Sequence, residues 1–143
     1  MKRTSTVLAS VVLVAGLVLS GCSKSSSTSA PEDLKTLLPV PANTQKTTGP
    51  DAISANGIRM NYQAAAAPGP AMVAYRTALR DKGWEVTTIV TSEGGTGGGA
   101  TFIGTHGKAY GVFDGGGFDQ QTFVDVCVWP EKPADPNCTR AKR

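Results

Sequence analysis

The alternation of apolar and polar residues over residues 57–63, with Ile58 and Met60 on the same face, predicts a half-buried β-strand. Apolar residues then recur with helical spacing over residues 70–82. A proline near the start of that segment and Gly83 just beyond its end match the preferred ends of an α-helix. The pattern therefore predicts a strand followed by the principal helix of the chain.

Four further segments have the pattern of strands, namely residues 85–91, 100–105, 108–113 and 122–129. A tight turn at His106-Gly107 joins the second of these to the third. The segment 122–129 is apolar on both faces, which predicts a central position in the sheet. The strand, helix, strand order is compatible with a parallel crossover or with an antiparallel sheet. We predict an α+β fold, with a small, mainly antiparallel sheet of four to five strands and one principal helix packed on one face.

The remaining segments are short or polar. Residues 31–38 predict a short helical turn that begins near Pro31 and ends before Pro39, and its leucines favour docking on the domain over facing a partner. Residues 39–56 are rich in proline, threonine and polar side chains, so we expect them to be largely irregular. Glycine-rich stretches at 92–99 and 114–121 predict loops.

An apolar run from Val7 to Leu19 follows Lys2 and Arg3 near the start of the chain. It is shorter than the roughly 20 residues that a membrane-spanning helix needs, and it predicts an export signal. The run closes with Leu19-Ser20-Gly21-Cys22, which resembles the lipobox of bacterial lipoproteins. That resemblance implies that Cys22 is lipidated by acyl chains such as palmitate and becomes the first mature residue. An ordinary secretory signal with a chance cysteine is the alternative.

The resemblance implies a protein held at the cell membrane by lipid, on its extracytoplasmic face. The sequence then divides into a signal peptide at 1–21, a lipidated cysteine with a Ser-rich tether and short helical turn at 22–38, one α+β domain at 39–139 and a basic tail at 140–143. Removal of the signal lowers the formal net charge from +3 to +1. We expect the tail to fray and expect no nucleic-acid partner, because no basic helix or aromatic platform accompanies the tail.

With Cys22 assigned to lipid, Cys127 and Cys138 remain as an even pair in an exported, oxidising setting, which predicts a structural disulfide. Two free thiols, or a redox or metal role, are the alternatives. The spacing is too long for a Cys-x-x-Cys pair, and His106 is the only histidine. We therefore expect no metal site and no cofactor.

Candidate binding residues concentrate in the glycine-rich stretches. The segment 95–100 matches G-x-G-x-x-A, but a strand follows it where a dinucleotide site needs a helix, so it indicates a hairpin connection. Three aspartates, Asp114, Asp119 and Asp125, do not follow the spacing of a calcium loop. The histidine is predicted to be a solvated turn residue. The ligand-binding candidates are Gly97, Gly98, His106, Asp114 and Asp119.

The run Ala74-Tyr75-Arg76, with Leu79 and then Lys82-Gly83-Trp84-Glu85, resembles small actinobacterial-type lipoproteins of uncharacterised function. The resemblance covers residues 57–91, implies a Tyr-containing helix against a small antiparallel sheet and brings no catalytic residues. We expect a lipid-anchored binding or accessory module of the bacterial cell envelope, and not an enzyme. Its partner would be an envelope protein, a glycan or a small ligand. A small envelope enzyme or a lipid-carrying lipoprotein is the alternative.

Overall fold

The computed structural model describes residues 31–140. The predicted signal peptide, the lipid on Cys22 and the Ser-rich tether at 23–30 therefore lie outside the described residues, as do residues 141–143 of the basic tail. Neither helix within the described range has the length and hydropathy of a membrane span.

The described chain forms two helices and six strands. They are α1 (Pro31–Thr36), β1 (Thr44–Ile53), β2 (Gly57–Ala64), α2 (Pro68–Asp81), β3 (Glu85–Gly94), β4 (Gly97–His106), β5 (Ala109–Phe118) and β6 (Gln121–Trp129). The strands make one sheet in the order β1-β2-β6-β5-β4-β3, and every neighbouring pair is antiparallel. The predicted antiparallel sheet with a helix packed on it is confirmed, and the parallel crossover is excluded.

The predicted number of strands is wrong, because the sheet has six strands where four to five were expected. The additional strand is β1, in a segment that was expected to be irregular. It forms one edge of the sheet and its side chains are mostly exposed. A strand that is exposed to solvent on both faces has no alternation of apolar and polar residues, so its sequence lacks the usual pattern of a strand.

The glycine-rich stretches are also strands rather than loops over most of their length. Gly98 pairs with Gly117 and Gly99 pairs with Gly116 across β4 and β5. Ladder hydrogen bonds use main-chain groups only, so they form without a side-chain pattern. The turn between these two strands lies at residues 107–108, one residue later than predicted.

The principal helix begins two residues earlier than predicted and ends in a Schellman motif. Its buried residues are Pro68, Met72, Tyr75 and Leu79, which share one face. Gly83 adopts φ 96°, in the left-handed region that favours glycine. The main-chain N–H of Trp84 donates to Leu79 O at 3.0 Å, and that of Gly83 donates to Arg80 O at 2.9 Å. These two bonds satisfy helix-end carbonyls and turn the chain back toward the sheet.

Two hydrophobic clusters lie on opposite faces of the sheet. The larger one packs between the sheet and α2, and we call that side the helix face. Leu34 and Leu38 are buried in it, which confirms the docking of the short N-terminal helix, and Trp84 Nε1 donates to Leu37 O at 2.8 Å. As predicted, β6 lies inside the sheet, between β2 and β5.

The smaller cluster joins Tyr110, Val112, Cys127 and Trp129 on the opposite face. Residues 130–140, which we call the C-terminal arm, are tied to this side of the sheet by the Cys127–Cys138 disulfide, so we call it the arm face. The predicted disulfide pairing is thus confirmed.

Candidate functional site

The candidate residues are spread along β4 and β5 and the turn that follows β5. Gly97 and Gly98 begin β4, Asp114 lies within β5, and Asp119 lies in the turn that follows β5. His106 is the last residue of β4, nine residues beyond Gly97, which corresponds to about 30 Å along a strand. The structure therefore brings the two glycines and Asp119 to one end, leaves His106 at the other and places Asp114 opposite Thr101 in the middle of β4.

His106 is a half-buried residue at the C-terminal end of α2 rather than a solvated turn residue. Its Nε2 atom lies 3.1 Å from Lys82 O, and its ring centroid lies 5.6 Å from that of Trp84. Because a carbonyl oxygen only accepts, Nε2 carries the hydrogen in this contact. The position gives His106 a role in holding the helix end against the sheet.

A cavity of about 370 Å³ opens on the arm face above β3, β4 and β5, and we call it the notch. Its floor is the main chain of Gly99 and Gly116, which oppose each other on neighbouring strands. Asp114 and Arg140 stand at one end and Phe118 stands at the other. Its volume is within the range of about 300–1,000 Å³ typical of small-molecule sites.

The floor of the notch requires glycine at position 99. A Cβ there would overlap the carbonyl oxygen of Gly115 on the neighbouring strand. At Gly116 the space above the main chain is more open, since a Cβ would meet the carbonyl oxygen of Gly98 at 3.0 Å and little else. A ligand in the notch would therefore lie directly against the backbone of the sheet.

The polar end of the notch is part of a row of side chains that crosses the arm face. Asp114 on β5 opposes Asp125 on β6. The buried Asp125 carboxylate accepts a hydrogen bond from Asn61 Nδ2 at 3.0 Å, and Asp114 accepts one from Thr101 Oγ1 at 2.7 Å. Neighbouring carboxylates repel each other unless cations or hydrogen-bond donors compensate them.

Arg140 supplies the positive charge at this end. Its Nε donates to Asp114 Oδ2, and that hydrogen bond, followed by the Coulombic attraction of Asp114 and Asp125, raises the pKa of the guanidinium. The side chain is nevertheless 61 % exposed, and the hydrogen bond that it donates to Asp114 Oδ2 comes from Nε. Arg140 therefore closes one end of the notch and keeps N–H donors accessible there.

The sequence pattern missed Arg140, which it placed in a frayed tail. The signal that finds it is its distance from Cys138, because Arg140 is only two residues beyond the disulfide. A bridge to a central strand fixes the preceding arm on the sheet, and Arg140 with it. Phe118 was also missed, because its neighbours are glycines and show no periodicity.

A second cavity of about 600 Å³ lies where the tips of the β3–β4 and β5–β6 hairpins meet the start of α2. Gly97, Gly98 and Asp119 line it, and the N–H of Asp119 donates to Thr96 O at 2.7 Å, which joins the two tips. The helix start beside it has no side-chain cap. Glu93 adds a second carboxylate to the lining.

No metal cluster accompanies either cavity. Within residues 31–140, no group of three or more His, Cys, Asp or Glu side chains is placed to hold a metal ion. Asp119 is in the hairpin turn, whereas Asp114 and Asp125 oppose each other within the sheet, so the three aspartates do not converge.

Comparisons with protein-family models, curated proteins and solved structures find no match to this chain. The chemistry of the site therefore has to be argued from its own residues. The notch offers hydrogen-bond donors and acceptors at one end, an exposed aromatic ring at the other and a bare main chain between them. This combination suits non-covalent binding of a small, partly polar ligand.

Proposed function

We propose that this protein is a lipid-anchored extracytoplasmic binding module of the bacterial cell envelope, and that the notch is its ligand site. The observation that carries the proposal is the spacing of the groups around the notch. An ion pair and an exposed aromatic side chain face the same side of β5, four residues apart, across a floor without side chains. Small-molecule sites commonly combine a few placed polar groups with such apolar surface.

The rigid sheet supports a binding role more directly than a carrier role. An acyl chain would require a cavity lined largely by aliphatic side chains, whereas the apolar lining of the notch is limited to Val90, Ala100 and Phe118, beside main chain, Ser92, Thr101 and the Asp114–Arg140 pair. Burying methylene groups against such polar surface gives little hydrophobic stabilisation. The observed lining therefore favours a ligand that makes hydrogen bonds.

Binding is tested by NMR on the ¹⁵N-labelled full chain with a library of chemically diverse small molecules. We expect ligands to shift the amide signals of Gly99, Gly116 and Phe118 together. A Gly116→Val variant fills the floor of the notch and should abolish those shifts. The matched control is Gly94→Val in the neighbouring hairpin. Gly94 does not line the notch, and a Cβ added there would meet nothing within 4 Å.

Either of two results of the library experiment would contradict the proposal. One is that no compound shifts the three floor and rim signals at millimolar concentration. The other is that Gly116→Val binds as well as Gly94→Val while both remain folded, because the ligand site would then lie elsewhere.

The anchoring part of the proposal rests on the resemblance of Leu19-Ser20-Gly21-Cys22 to a lipobox. Expression in a bacterial host with an alkyne-tagged fatty acid should label the wild-type chain and place it in the membrane fraction. Cys22→Ala should lose both the label and the membrane association, whereas Ser23→Ala should keep them. An unlabelled wild-type chain in the soluble fraction would contradict lipid anchoring.

A further inference from the structure

We infer that the notch binds a neutral saccharide unit, an inference that rests on the proposed function of the notch as a ligand site. The two ends of the notch offer different chemistry on one face of β5. Asp114 and Phe118 are four residues apart on that face, which corresponds to about 13 Å. A cavity of about 370 Å³ across this distance has room for a mono- or disaccharide.

The polar end matches the hydrogen-bonding character of sugar hydroxyls. Each hydroxyl donates one hydrogen and accepts others, so adjacent hydroxyls are best met by an acceptor beside a donor. The Asp114 carboxylate provides acceptor lone pairs, and the guanidinium of the 61 % exposed Arg140 side chain provides donors. The hydrogen bond between them holds the two side chains in place before a ligand arrives, so less freedom is lost on binding.

The other end presents an aromatic platform. Phe118 is 72 % exposed and is the only exposed aromatic side chain within residues 31–140. Its ring lies over Gly97 on the neighbouring strand, so that a Cβ at Gly97 would stand 3.0 Å from it. One side of the ring is thus supported by the sheet. The C–H face of a sugar ring has the apolar character that such a platform accepts.

The charges around the notch favour a neutral ligand over an anionic one. Asp114 is the carboxylate that lines the notch, and it is paired there with Arg140. The other arginine of this face, Arg59, is already paired with Asp51 at 3.1 Å. A phosphate or carboxylate at this end would approach the Asp114 carboxylate, which offsets the attraction of Arg140 for an anion.

Saccharide binding is tested with the full chain on a printed array of neutral mono-, di- and trisaccharides built from hexose, pentose and N-acetylhexosamine units. Hits are measured by calorimetry and by saturation-transfer NMR. Phe118→Ala should weaken binding about tenfold, and Phe118→Trp should retain it, because the platform is kept. Ile89→Ala, a 53 % exposed apolar position on β3 that does not line the notch, is the matched control and should bind like wild type.

Each outcome decides the inference separately from the proposed function. Saccharide binding that Phe118→Ala weakens and Ile89→Ala preserves supports it. Absence of binding across the array at millimolar concentration overturns it, as does saccharide binding that is insensitive to Phe118→Ala. If non-saccharide compounds alone shift the Gly116 signal, the saccharide inference is overturned while the notch remains a ligand site. If no compound of any class shifts it, both fall.

Discussion

Reduction of the Cys127–Cys138 disulfide should destabilise the domain and release the C-terminal arm from the sheet. The two cysteines are 11 residues apart in the sequence. For a closed loop of about 12 residues, the chain-entropy relation gives about 3 kcal/mol at 25 °C. Three prolines, Pro130, Pro133 and Pro136, already restrict the unfolded loop, so the loss should not exceed that figure.

Packing does little to replace the bridge, because most side chains of the arm are exposed. Apart from the disulfide, its described side-chain and polar contacts with the sheet include Arg59 Nη1 to Thr139 O at 3.4 Å, the ion pair of Arg140 with Asp114, and Lys132 Nζ at 5.5 Å from the Tyr110 ring centroid. Exposed contacts of this kind contribute about 0–1 kcal/mol each. Arg140 should therefore leave the notch when the bridge opens.

The assay is urea unfolding of the oxidised and reduced protein, followed by the fluorescence of Trp84 and Trp129, which are both buried. A Cys127→Ala/Cys138→Ala variant is the control, because the same reductant should leave its unfolding midpoint unchanged. In parallel, NMR should show the Thr101 and Asp114 signals shifting on reduction of the wild type only. A loss of less than about 1 kcal/mol, with those signals unmoved, would refute the reasoning and show that packing holds the arm.

Four further substitutions, one of them compared with wild type over a pH range, test the helix and the face of the sheet on which it packs. Gly111→Ala should lower the free energy of unfolding by about 1–3 kcal/mol, because the added Cβ would stand 2.5 Å from the Phe113 ring. Gly69→Ala is the control and should not lower it, because the added Cβ would meet nothing within 4 Å. Tyr75→Phe removes a buried hydroxyl that has no hydrogen-bond partner among the described residues, so urea unfolding should show no loss and up to about 1 kcal/mol of gain. Burial raises the pKa of Tyr62 from 10.0 to about 12. The unfolded chain loses the Tyr62 proton above pH 10, whereas the folded protein keeps it until about pH 12, so the contribution of Tyr62 to the unfolding free energy is full below pH 10 and is lost as the pH rises toward 12. The unfolding free energy of Tyr62→Phe should therefore fall less over that interval than that of the wild type.

The sequence predicts those helices and strands that bury one face and expose the other to solvent. Met72, Tyr75 and Leu79 show helical spacing because they pack on the sheet, and the strand Gly57–Ala64 alternates because β2 faces the core on one side. The edge strand β1 has no such contrast. It is a strand because its main chain pairs with that of β2, and the local sequence of β1 does not encode this pairing.

The candidate site is predictable only in part, for a related reason. Asp114 and Gly98 were named from the glycine-rich stretches, and both line the notch. Arg140 reaches the notch through the disulfide, and Phe118 reaches it through the register of β4 with β5. Both are consequences of contacts between residues far apart in the chain. The cysteine spacing contained the first of these signals, and nothing local contained the second.

The glycines of β5 distinguish packing from binding. Gly111 and Gly115 face the helix side, where Trp84 and Met72 fill the space that their missing side chains leave. Gly116 faces the arm side, where the equivalent space stays open as the notch. The first two glycines are explained by close packing of α2 on the sheet, since larger residues there would overlap buried side chains. No buried side chain excludes a Cβ at Gly116, although that Cβ would stand 3.0 Å from the carbonyl oxygen of Gly98, so the open notch is a second reason for glycine at this position. A Gly116→Ala variant should therefore lose less stability than Gly111→Ala, and unlike Gly111→Ala it should lose affinity for the ligand.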